Sequence, residues 1–354
     1  MRVRPTLTAL ALLLTVAACT SSDPRAAPTA AGTTPSPSAT ERTYPTTPPS
    51  AAQAADATPS PSPTRQAQAH AAWVAVEDDG VLSLIDLDDG RTLEQHTVGG
   101  GPHNITVAPD GTVAAALYAS DAVAIVTPDG EVRQVELGGR PHDVKPAGDR
   151  FVVANEAGRR IEILSTDGQV QGRISLDFEP HDLSVTPDGP TAWVTLNGSD
   201  RLAQVDLTAQ RVRRYVATGR SPHDIRIGDD GRIWVTDWTG PLHVFDPEGN
   251  RLTTLELGQE AHHLAFTPHG DRLWLVDHAT RQAYIIDTAT VEVADQVAVP
   301  GAPHHVAITG DGALAAIADH TNGTIVVYDA QNHARLAQIP VGNGPHGVWD
   351  RPID

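Results

Sequence analysis

The chain has 354 residues, with 44 acidic against 25 basic side chains, a formal net charge of −19 and a single cysteine. This strong negative charge argues against nucleic acid as a partner, because a phosphate backbone is repelled by an acidic surface. A single cysteine excludes a disulfide framework and a thiolate-rich metal site, so any metal ion is expected to be held by nitrogen and oxygen atoms.

The N-terminus predicts export and lipid anchoring. Arg2 and Arg4 precede an apolar run, "LTALALLLTVAAC", that is too short to span a bilayer as a mature helix. The run ends in "VAAC", where small residues precede Cys19, and this ending resembles the signal of bacterial lipoproteins. We therefore expect a signal peptide over residues 1–18 and a lipid on Cys19 that anchors the protein at the extracytoplasmic face of the cell membrane. An ordinary signal peptide with an incidental cysteine is the alternative.

Residues 19–70 predict a disordered tether. The segment consists mostly of alanine, proline, serine and threonine, as in "PSPSATERTYPTTPPSAAQAADATPSPSPTRQ". Such a composition offers too few large apolar side chains to offset the entropy lost on folding. Its acidic and basic residues balance, so the negative charge belongs to the domain that follows.

A motif built around proline and histidine recurs along residues 71–354. Its copies include "GPHNITVAPDG", "EPHDLSVTPDG", "SPHDIRIGDDG" and "APHHVAITGDG". The repeated histidines are His103, His142, His181, His223, His262, His304 and His346. They are 39 or 42 residues apart, a period typical of four-stranded propeller blades, and short strands separated by glycine-containing turns fill each unit. The sequence therefore predicts an all-β fold, a seven-bladed β-propeller.

The two ends of the domain predict how the ring closes. Residues 73 to 98 supply only three strands, "WVAV", "VLSLIDL" and "TLEQHTV", whereas the C-terminal "HGVWD" is an opening strand with nothing after it. Pairing "HGVWD" with "WVAV" completes the seventh blade and leaves no open sheet edge.

These repeats, with their "PH" opening, "PDG" turn and second strands such as "RIWVTD", resemble the YVTN-type, YncE-like bacterial propellers over about residues 71–351. Some members of that family are exported zinc chaperones. Repeats such as "RIWVTD" also resemble the streptogramin-lyase type of propeller, in which a histidine at the channel mouth acts as general base. The resemblance implies the fold, whereas function depends on the site.

The repeated histidines have an architectural interpretation in the first blades. Aspartate follows His142, His181 and His223, and we predict that it accepts a hydrogen bond from the adjacent imidazole. Five histidines outside the repeat position are predicted to be solvated surface or tether residues: His70, His96, His243, His269 and His333.

The C-terminal blades depart from this pattern. A second histidine follows the repeated one, and the next strand ends in "VDH" or "ADH" instead of an acidic or amide residue. Antiparallel pairing returns that strand end to the face of the repeated histidines, so one sector gathers many imidazoles. The predicted metal-binding residues are His262, His263, His278, His304, His305, His320, His346, Asp277, Asp319 and Glu77. Asp277 and Asp319 are expected to orient imidazoles from a second shell.

Imidazoles with one or two carboxylates favour Zn²⁺, with Cu²⁺ as second choice. The main hypothesis is a monomeric, membrane-anchored, non-enzymatic protein that binds zinc and exchanges it with a metal transporter or its binding protein. The first alternative is a metal-dependent lyase, with His304 or His263 as base and Glu77 as an acid beside the metal. The second is a protein-interaction scaffold that binds no metal.

Overall fold

The computed structural model describes residues 70–351, which form strands and no helices. The strands make seven four-stranded antiparallel sheets, so the predicted all-β, seven-bladed propeller is confirmed. Cys19 and the predicted signal peptide lie outside the described residues, as does the predicted tether up to residue 69. Within residues 70–351 no helix is long and apolar enough to cross a membrane.

The strands follow one another around the ring in chain order. Blade 1 contains β1 (Ala71–Val76), β2 (Val81–Asp86) and β3 (Thr92–Thr97). Blades 2 to 4 contain β4 (Pro102–Val107), β5 (Val113–Leu117), β6 (Ala122–Val126), β7 (Val132–Glu136), β8 (Pro141–Pro146), β9 (Arg150–Asn155), β10 (Arg160–Ser165), β11 (Val170–Ser175), β12 (Glu179–Val185), β13 (Thr191–Asn197), β14 (Arg201–Asp206) and β15 (Arg211–Ala217).

Blades 5 to 7 contain β16 (Pro222–Ile227), β17 (Ile233–Asp237), β18 (Leu242–Phe245), β19 (Arg251–Leu255), β20 (Ala261–Phe266), β21 (Arg272–Asp277), β22 (Gln282–Asp287), β23 (Glu292–Ala298), β24 (Pro303–Ile308), β25 (Leu314–Asp319), β26 (Thr324–Asp329) and β27 (Arg335–Pro340). The last strand, β28 (Pro345–Asp350), joins blade 1.

The ring closes as the sequence predicts. Strand β28 pairs antiparallel with β1, placing Trp73 opposite Trp349 and Val74 opposite Val348. The order β28-β1-β2-β3 makes blade 1 a composite of both ends of the domain. Closure leaves no blade with a missing innermost strand, and it places His346 in the same ring position as the other repeated histidines.

The core lies between neighbouring blades. Large side chains in the second strands of three blades, Trp193, Trp234 and Trp274, are fully buried. The fourth strands are largely exposed, as in β23, where six of seven residues face solvent. Because the blades stack face to face, the innermost strands and the loops at their ends are the parts that reach the central channel.

Candidate functional site at one mouth of the channel

A β-bulge in every innermost strand builds the site. In blade 5, Pro222 pairs with Asp237 and Ile225 with Val235, so His223 and its successor both oppose a single residue. The same irregularity occurs at the repeated histidine in the other six blades. A bulge interrupts the alternation of side chains along a strand, so two consecutive residues point into the channel. The propeller therefore presents two stacked layers from each "His-x" pair.

The first layer is a continuous ring of imidazoles, which we call the histidine ring. Its members are His103, His142, His181, His223, His262, His304 and His346. Each ring packs against both neighbours, with centroid separations of 3.5 to 4.6 Å around the full circle. The histidine ring contributes seven of the twelve residues that line a cavity of 380 Å³ at this mouth.

A second set of side chains, the rim layer, lies where the second strand of each blade ends. Its members are Glu77, Tyr118, Glu156, Asn197, Trp238, His278 and His320. In blades 1, 6 and 7 the backbone N–H of the rim-layer residue donates a hydrogen bond of 2.9 to 3.1 Å. The acceptor is the backbone carbonyl oxygen of the residue that precedes the Pro-His or Ala-His pair. Tyr118 and Trp238 are neither acidic nor amide residues, so the rim layer differs at two blades from the strand-end pattern expected from the sequence, although both residues follow second strands, in "AAALY" and "VTDW".

Four imidazoles converge between the histidine ring and the rim layer. This rim cluster consists of His262, His278, His304 and His320. One nitrogen from each of His262, His278 and His304 lies within 4.8 Å of the others. The His320 ring lies 4.7 Å from that of His304, and the His278 ring lies 4.8 Å from it. His278 and His320 are half-buried, so the cluster remains open to solvent on one side.

The environment lowers the pKa values of His262, His304 and His320. Burial lowers the pKa of His304 to about 3, and the neighbouring His320 and His278 act in the same direction. Burial and the surrounding imidazoles lower the pKa of His262 well below its usual value. Nδ1 of His262 donates to the carbonyl oxygen of His304 at 2.9 Å, which leaves Nε2 unprotonated. His262, His304 and His320 therefore offer nitrogen lone pairs at neutral pH.

Glu77 lies on another part of the mouth. Its carboxylate groups with His103 and His346, with ligand atoms within 4.8 Å of one another. Burial, with a smaller contribution from the charge of Asp78, raises the pKa of Glu77 to about 7. The structure thus brings Glu77 together with the predicted His346 and with His103, which sequence analysis left out of the site.

Asp277 and Asp319 accept hydrogen bonds from nearby loop residues. Oδ2 of Asp277 accepts hydrogen bonds from the backbone N–H groups of residues 259 and 260, at 2.7 and 3.0 Å. Asp319 accepts from the side-chain amide of Asn322 at 2.8 Å. Among the described residues these carboxylates hydrogen-bond to loop groups, and the orientation of the His278 and His320 imidazoles by them stays a prediction.

The residues after the repeated histidines form an inner layer beneath the ring. Its members are Asn104, Asp143, Asp182, Asp224, His263, His305 and Gly347. His263 and His305 are 1% and 3% exposed, and their rings lie 4.4 Å apart. The predicted dense sector is therefore divided into a rim part and a buried inner part. His305 also lines a cavity of 390 Å³ at the opposite mouth.

The predicted pairing of histidines with the following aspartate holds for one blade. Nδ1 of His181 lies 3.0 Å from Asp182, whereas His142 and His223 approach the same Asp182 at 3.5 and 4.0 Å. Asp143 and Asp224 instead accept hydrogen bonds from the next blade in chain order, through the backbone N–H groups of residues 183 and 264 at 3.0 Å. Asp182 is thus a common neighbour of three ring histidines.

Four of the five remaining histidines differ from the prediction. His70 is half-buried and bridges Asp88 and Asp311 at 3.0 and 2.8 Å, so it belongs to the propeller and not to a tether. His243 is 5% exposed and contacts Thr254, and His96 and His333 are partly buried. His269 is exposed, as predicted. The sequence around His70 did not indicate that the carboxylates of Asp88 and Asp311 contact it.

Comparisons with known proteins agree with the fold. A family model described as YNCE-like beta-propeller matches residues 38–352. No curated protein sequence matches the chain. Apo AztD from Citrobacter koseri is similar in structure, with a TM-score of 0.60 and 15% identity over 80% of this chain and 98% of that one.

Two further solved structures show the same architecture. A catalytically inactive virginiamycin B lyase from Staphylococcus aureus with quinupristin gives a TM-score of 0.63 and 18% identity, over 71% of this chain and 91% of that one. Hydrazine synthase from Kuenenia stuttgartiensis gives 0.63 and 19%, over 71% and 89%. At these identities the likeness establishes the fold alone.

Proposed function

The chain belongs to the YncE-like β-propeller family, and from that premise we propose that it binds a transition-metal ion at the rim cluster. The observation that supports the proposal is the convergence of His262, His278 and His304, whose ring nitrogens lie within 4.8 Å of one another. Imidazole nitrogens favour Zn²⁺, with Cu²⁺ as second choice, over the oxygen-preferring Mg²⁺ and Ca²⁺. No ion needs to be invoked to hold the cluster in place, because each histidine belongs to a different strand or strand end of the rigid propeller.

The chain's own residues prepare the cluster for an ion. The hydrogen bond from Nδ1 of His262 to the His304 carbonyl fixes the ring and aims Nε2 away from the backbone. Nδ1 of His278 and Nδ1 of His304 are buried without a hydrogen-bond partner among the described residues. His320 stands beside His304 as a fourth donor. A bound Zn²⁺ would supply positive charge that satisfies these nitrogens.

Ion exchange with a partner follows from the exposure of the cluster. His278 and His320 are half-buried at the open side, whereas His262 is 2% exposed at the closed side. A second protein with nitrogen or oxygen ligands can approach the ion from the channel mouth. We propose that this partner is a metal transporter or its binding protein, and that the propeller acts as a monomeric metallochaperone without enzymatic activity.

Membrane anchoring is the second part of the proposal. It rests on the "VAAC" sequence and Cys19, which lie outside the described residues. The variant Cys19→Ser should move the protein from the membrane fraction to the medium or a soluble fraction, because the alanine-, proline-, serine- and threonine-rich segment after it supplies no other membrane affinity. Retention of the variant in the membrane fraction would overturn this part.

Titration calorimetry with Zn²⁺ tests the metal site. We expect the Cys19→Ser chain, prepared without an affinity tag, to bind Zn²⁺, and the additional double change His278→Ala/His320→Ala to weaken binding by more than about 100-fold. Loss of an outer-shell partner alone typically costs 10–100-fold, and direct ligands matter more. The matched control is Glu156→Gln/Asn197→Ala, which alters two rim-layer residues in blades 3 and 4 and should leave binding intact. Equal zinc affinity in all three proteins would show that the rim cluster does not bind the ion and that its histidines have a structural role.

Lyase chemistry at the same mouth is the alternative function. The Glu77 carboxyl, with its pKa raised by burial to about 7, lies in the Glu77, His103 and His346 group and is suited to proton transfer near neutral pH. His263 is buried beneath the histidine ring, so His304 is the better candidate for a base that contacts substrate. If the protein binds metal and has no lyase activity, quinupristin incubated with it and a divalent ion should remain intact. Chromatography of the reaction mixture measures this.

A further inference from the structure

The inner layer contains one carboxylate without a fixed cation. Asp143 pairs with Lys145, and Asp224 pairs with Arg226 at 2.7 Å, in each case two residues further along the same strand. At the matching position after Asp182 the chain has Ser184. All three carboxylates are 0% exposed. A buried carboxylate needs compensating positive charge, and Asp182 has no lysine or arginine on its strand to supply it. His181, on the same strand, lies 3.0 Å away but is a cation only when it is protonated.

Asp182 reaches toward the middle of the channel. Nδ2 of Asn104, which belongs to blade 2, donates to Oδ1 of Asp182 at 2.8 Å, although the two residues lie two blades apart. On the other side, one oxygen of Asp182, one oxygen of Asp224 and one ring nitrogen of His263 lie within 4.8 Å of one another. The Asp182 carboxylate therefore faces ligand atoms from blades 5 and 6.

His263 supplies an independent sign of a ligand. Its side chain is 1% exposed, and neither ring nitrogen has a hydrogen-bond partner among the described residues. Nδ1 lies 3.2 Å from Oδ2 of Asp224 without hydrogen-bond geometry. The large majority of buried polar side-chain atoms in folded proteins have a hydrogen-bond partner, and a buried nitrogen without one is destabilising. An electron-pair acceptor between the imidazole and the two carboxylates would satisfy the nitrogen and the charge together.

We propose that Asp182, Asp224 and His263 form a second, inner site for a divalent transition-metal ion. Two carboxylates and one imidazole suit Zn²⁺, Co²⁺ or Mn²⁺. The inner site shares no residue with the rim cluster, so it stands or falls separately from the proposed function. Its neighbouring cations, Lys145 and Arg226, are each paired with a carboxylate, so Asp182 leaves one net negative charge in this layer when the imidazoles are neutral.

The structure also contains an arrangement that needs no ion. Nδ1 of His181 lies 3.0 Å from Asp182, and a protonated His181 would neutralise that carboxylate. His142, at 3.5 Å, is the other imidazole on that side. The experiment separates this arrangement from a bound ion by altering residues on the two sides of Asp182 in turn.

The test loads the full mature chain with Co²⁺ or Zn²⁺, removes weakly bound ions by dialysis, and counts metal ions per chain by mass spectrometry. Visible absorption of bound Co²⁺ reports the ligand environment. We expect two ions in the wild type and one in Asp182→Asn or His263→Asn. Asparagine occupies the matching position in blade 2, as Asn104, so the propeller tolerates it there. The matched control is His305→Asn, at the same strand position in blade 7 and with its ring 4.4 Å from that of His263, which should retain both ions.

The outcomes distinguish the two sites. If His263→Asn loses an ion that His278→Ala/His320→Ala retains, the inner site is supported, whether or not the rim cluster also binds an ion. An unchanged metal count and Co²⁺ spectrum in both Asp182→Asn and His263→Asn overturn the inner site and assign Asp182 to a pair with His181. Loss of the inner ion in His142→Ala but not in His263→Asn also overturns the proposed ligand set. Circular dichroism confirms that each variant is folded.

Discussion

Every blade contributes the same residue to the histidine ring, but the residues above and below that ring differ between the two sides of the channel. Every blade supplies a repeated histidine, but blades 6 and 7 add His278 and His320 above it and His263 and His305 below it. We call these blades the histidine side. Blades 3 to 5, the carboxylate side, place aspartate below the ring and glutamate, asparagine or tryptophan above it. The repeat thus keeps the architectural position constant and varies the positions on either side of it.

The hydrogen bonds between blades show what this difference does. On the carboxylate side, the hydroxyls of Thr195 and Thr236 donate to the carbonyl oxygens of His223 and His262, both at 2.7 Å. On the histidine side, the residues opposite the bulges are Val276 and Ala318, and no hydroxyl is available there. Two backbone carbonyl oxygens on the carboxylate side are thus paired with hydroxyl donors that the histidine side lacks. Nitrogens on the histidine side remain available to a ligand.

The largest predicted effect concerns acid stability. Burial lowers the pKa of seven channel histidines: His103, His223, His262, His263, His304, His305 and His346. Below the unfolded value of 6.5, the unfolded chain takes up protons that the folded chain does not, so stability is lost as pH falls. Each such histidine contributes about 1.4 kcal/mol per pH unit in that window.

Urea unfolding in chelator at pH 7.5, 6 and 5 measures this loss. Glu77, Asp350 and Asp224, whose pKa values are raised by burial to about 7, 7 and 6, act in the opposite direction. His181 and His70, whose pKa values are raised by neighbouring carboxylates against the effect of burial, do the same, but these five groups are fewer than the seven histidines. The double variant His263→Asn/His305→Asn gives blades 6 and 7 the residue type of blade 2, and it should flatten the acid side of the profile. A wild-type stability that stays constant from pH 7.5 to 5 would contradict the prediction.

The next effect compares ring and rim histidines. His142 is packed between His103 and His181, with ring centroids 4.3 and 3.7 Å away, so His142→Ala should cost roughly 1 to 2 kcal/mol of unfolding free energy without changing zinc affinity. His320→Ala, at a half-buried rim position, should cost less than about 0.5 kcal/mol and weaken zinc binding. Thermal unfolding and calorimetry on both variants check this. A larger stability loss in His320→Ala, or a larger loss of zinc affinity in His142→Ala, would contradict the distinction between the two layers.

A smaller effect isolates the bonds between blades. Thr195→Val removes the hydroxyl that donates to the His223 carbonyl and accepts from the backbone N–H of Asp182 at 2.9 Å. We expect a loss of about 1 kcal/mol. The exposed Thr97→Val in β3 serves as control and should change stability by less than about 0.5 kcal/mol. Equal effects of the two substitutions on the melting temperature would show that the Thr195 hydroxyl does not stabilise the contact between blades.

The smallest effect lies where both ends of the domain meet. Burial opposes protonation of His70, but hydrogen bonds to Asp88 and Asp311 raise its pKa above 6.5. A raised histidine pKa stabilises the fold below the unfolded value, and this contribution is lost as pH rises through the folded value. His70→Gln should therefore lower the melting temperature at pH 6 more than at pH 8. A larger loss at pH 8 would contradict this sign, and zinc affinity should be unchanged at both.

The sequence alone determined the blade count, the strand order and the closure by β28, because the repeat period and the missing opening strand are local properties of the chain. It also located the imidazoles of the rim cluster, since antiparallel pairing places both strand ends at one face. Only the tertiary structure decided that His263 and His305 lie beneath the ring with Asp182 and Asp224. That division depends on a β-bulge in each innermost strand, which a pattern of alternating residues does not reveal. Packing between blades likewise decided that Glu77 meets His103, and ring closure decided that His70 meets Asp311, because these contacts join residues from different blades.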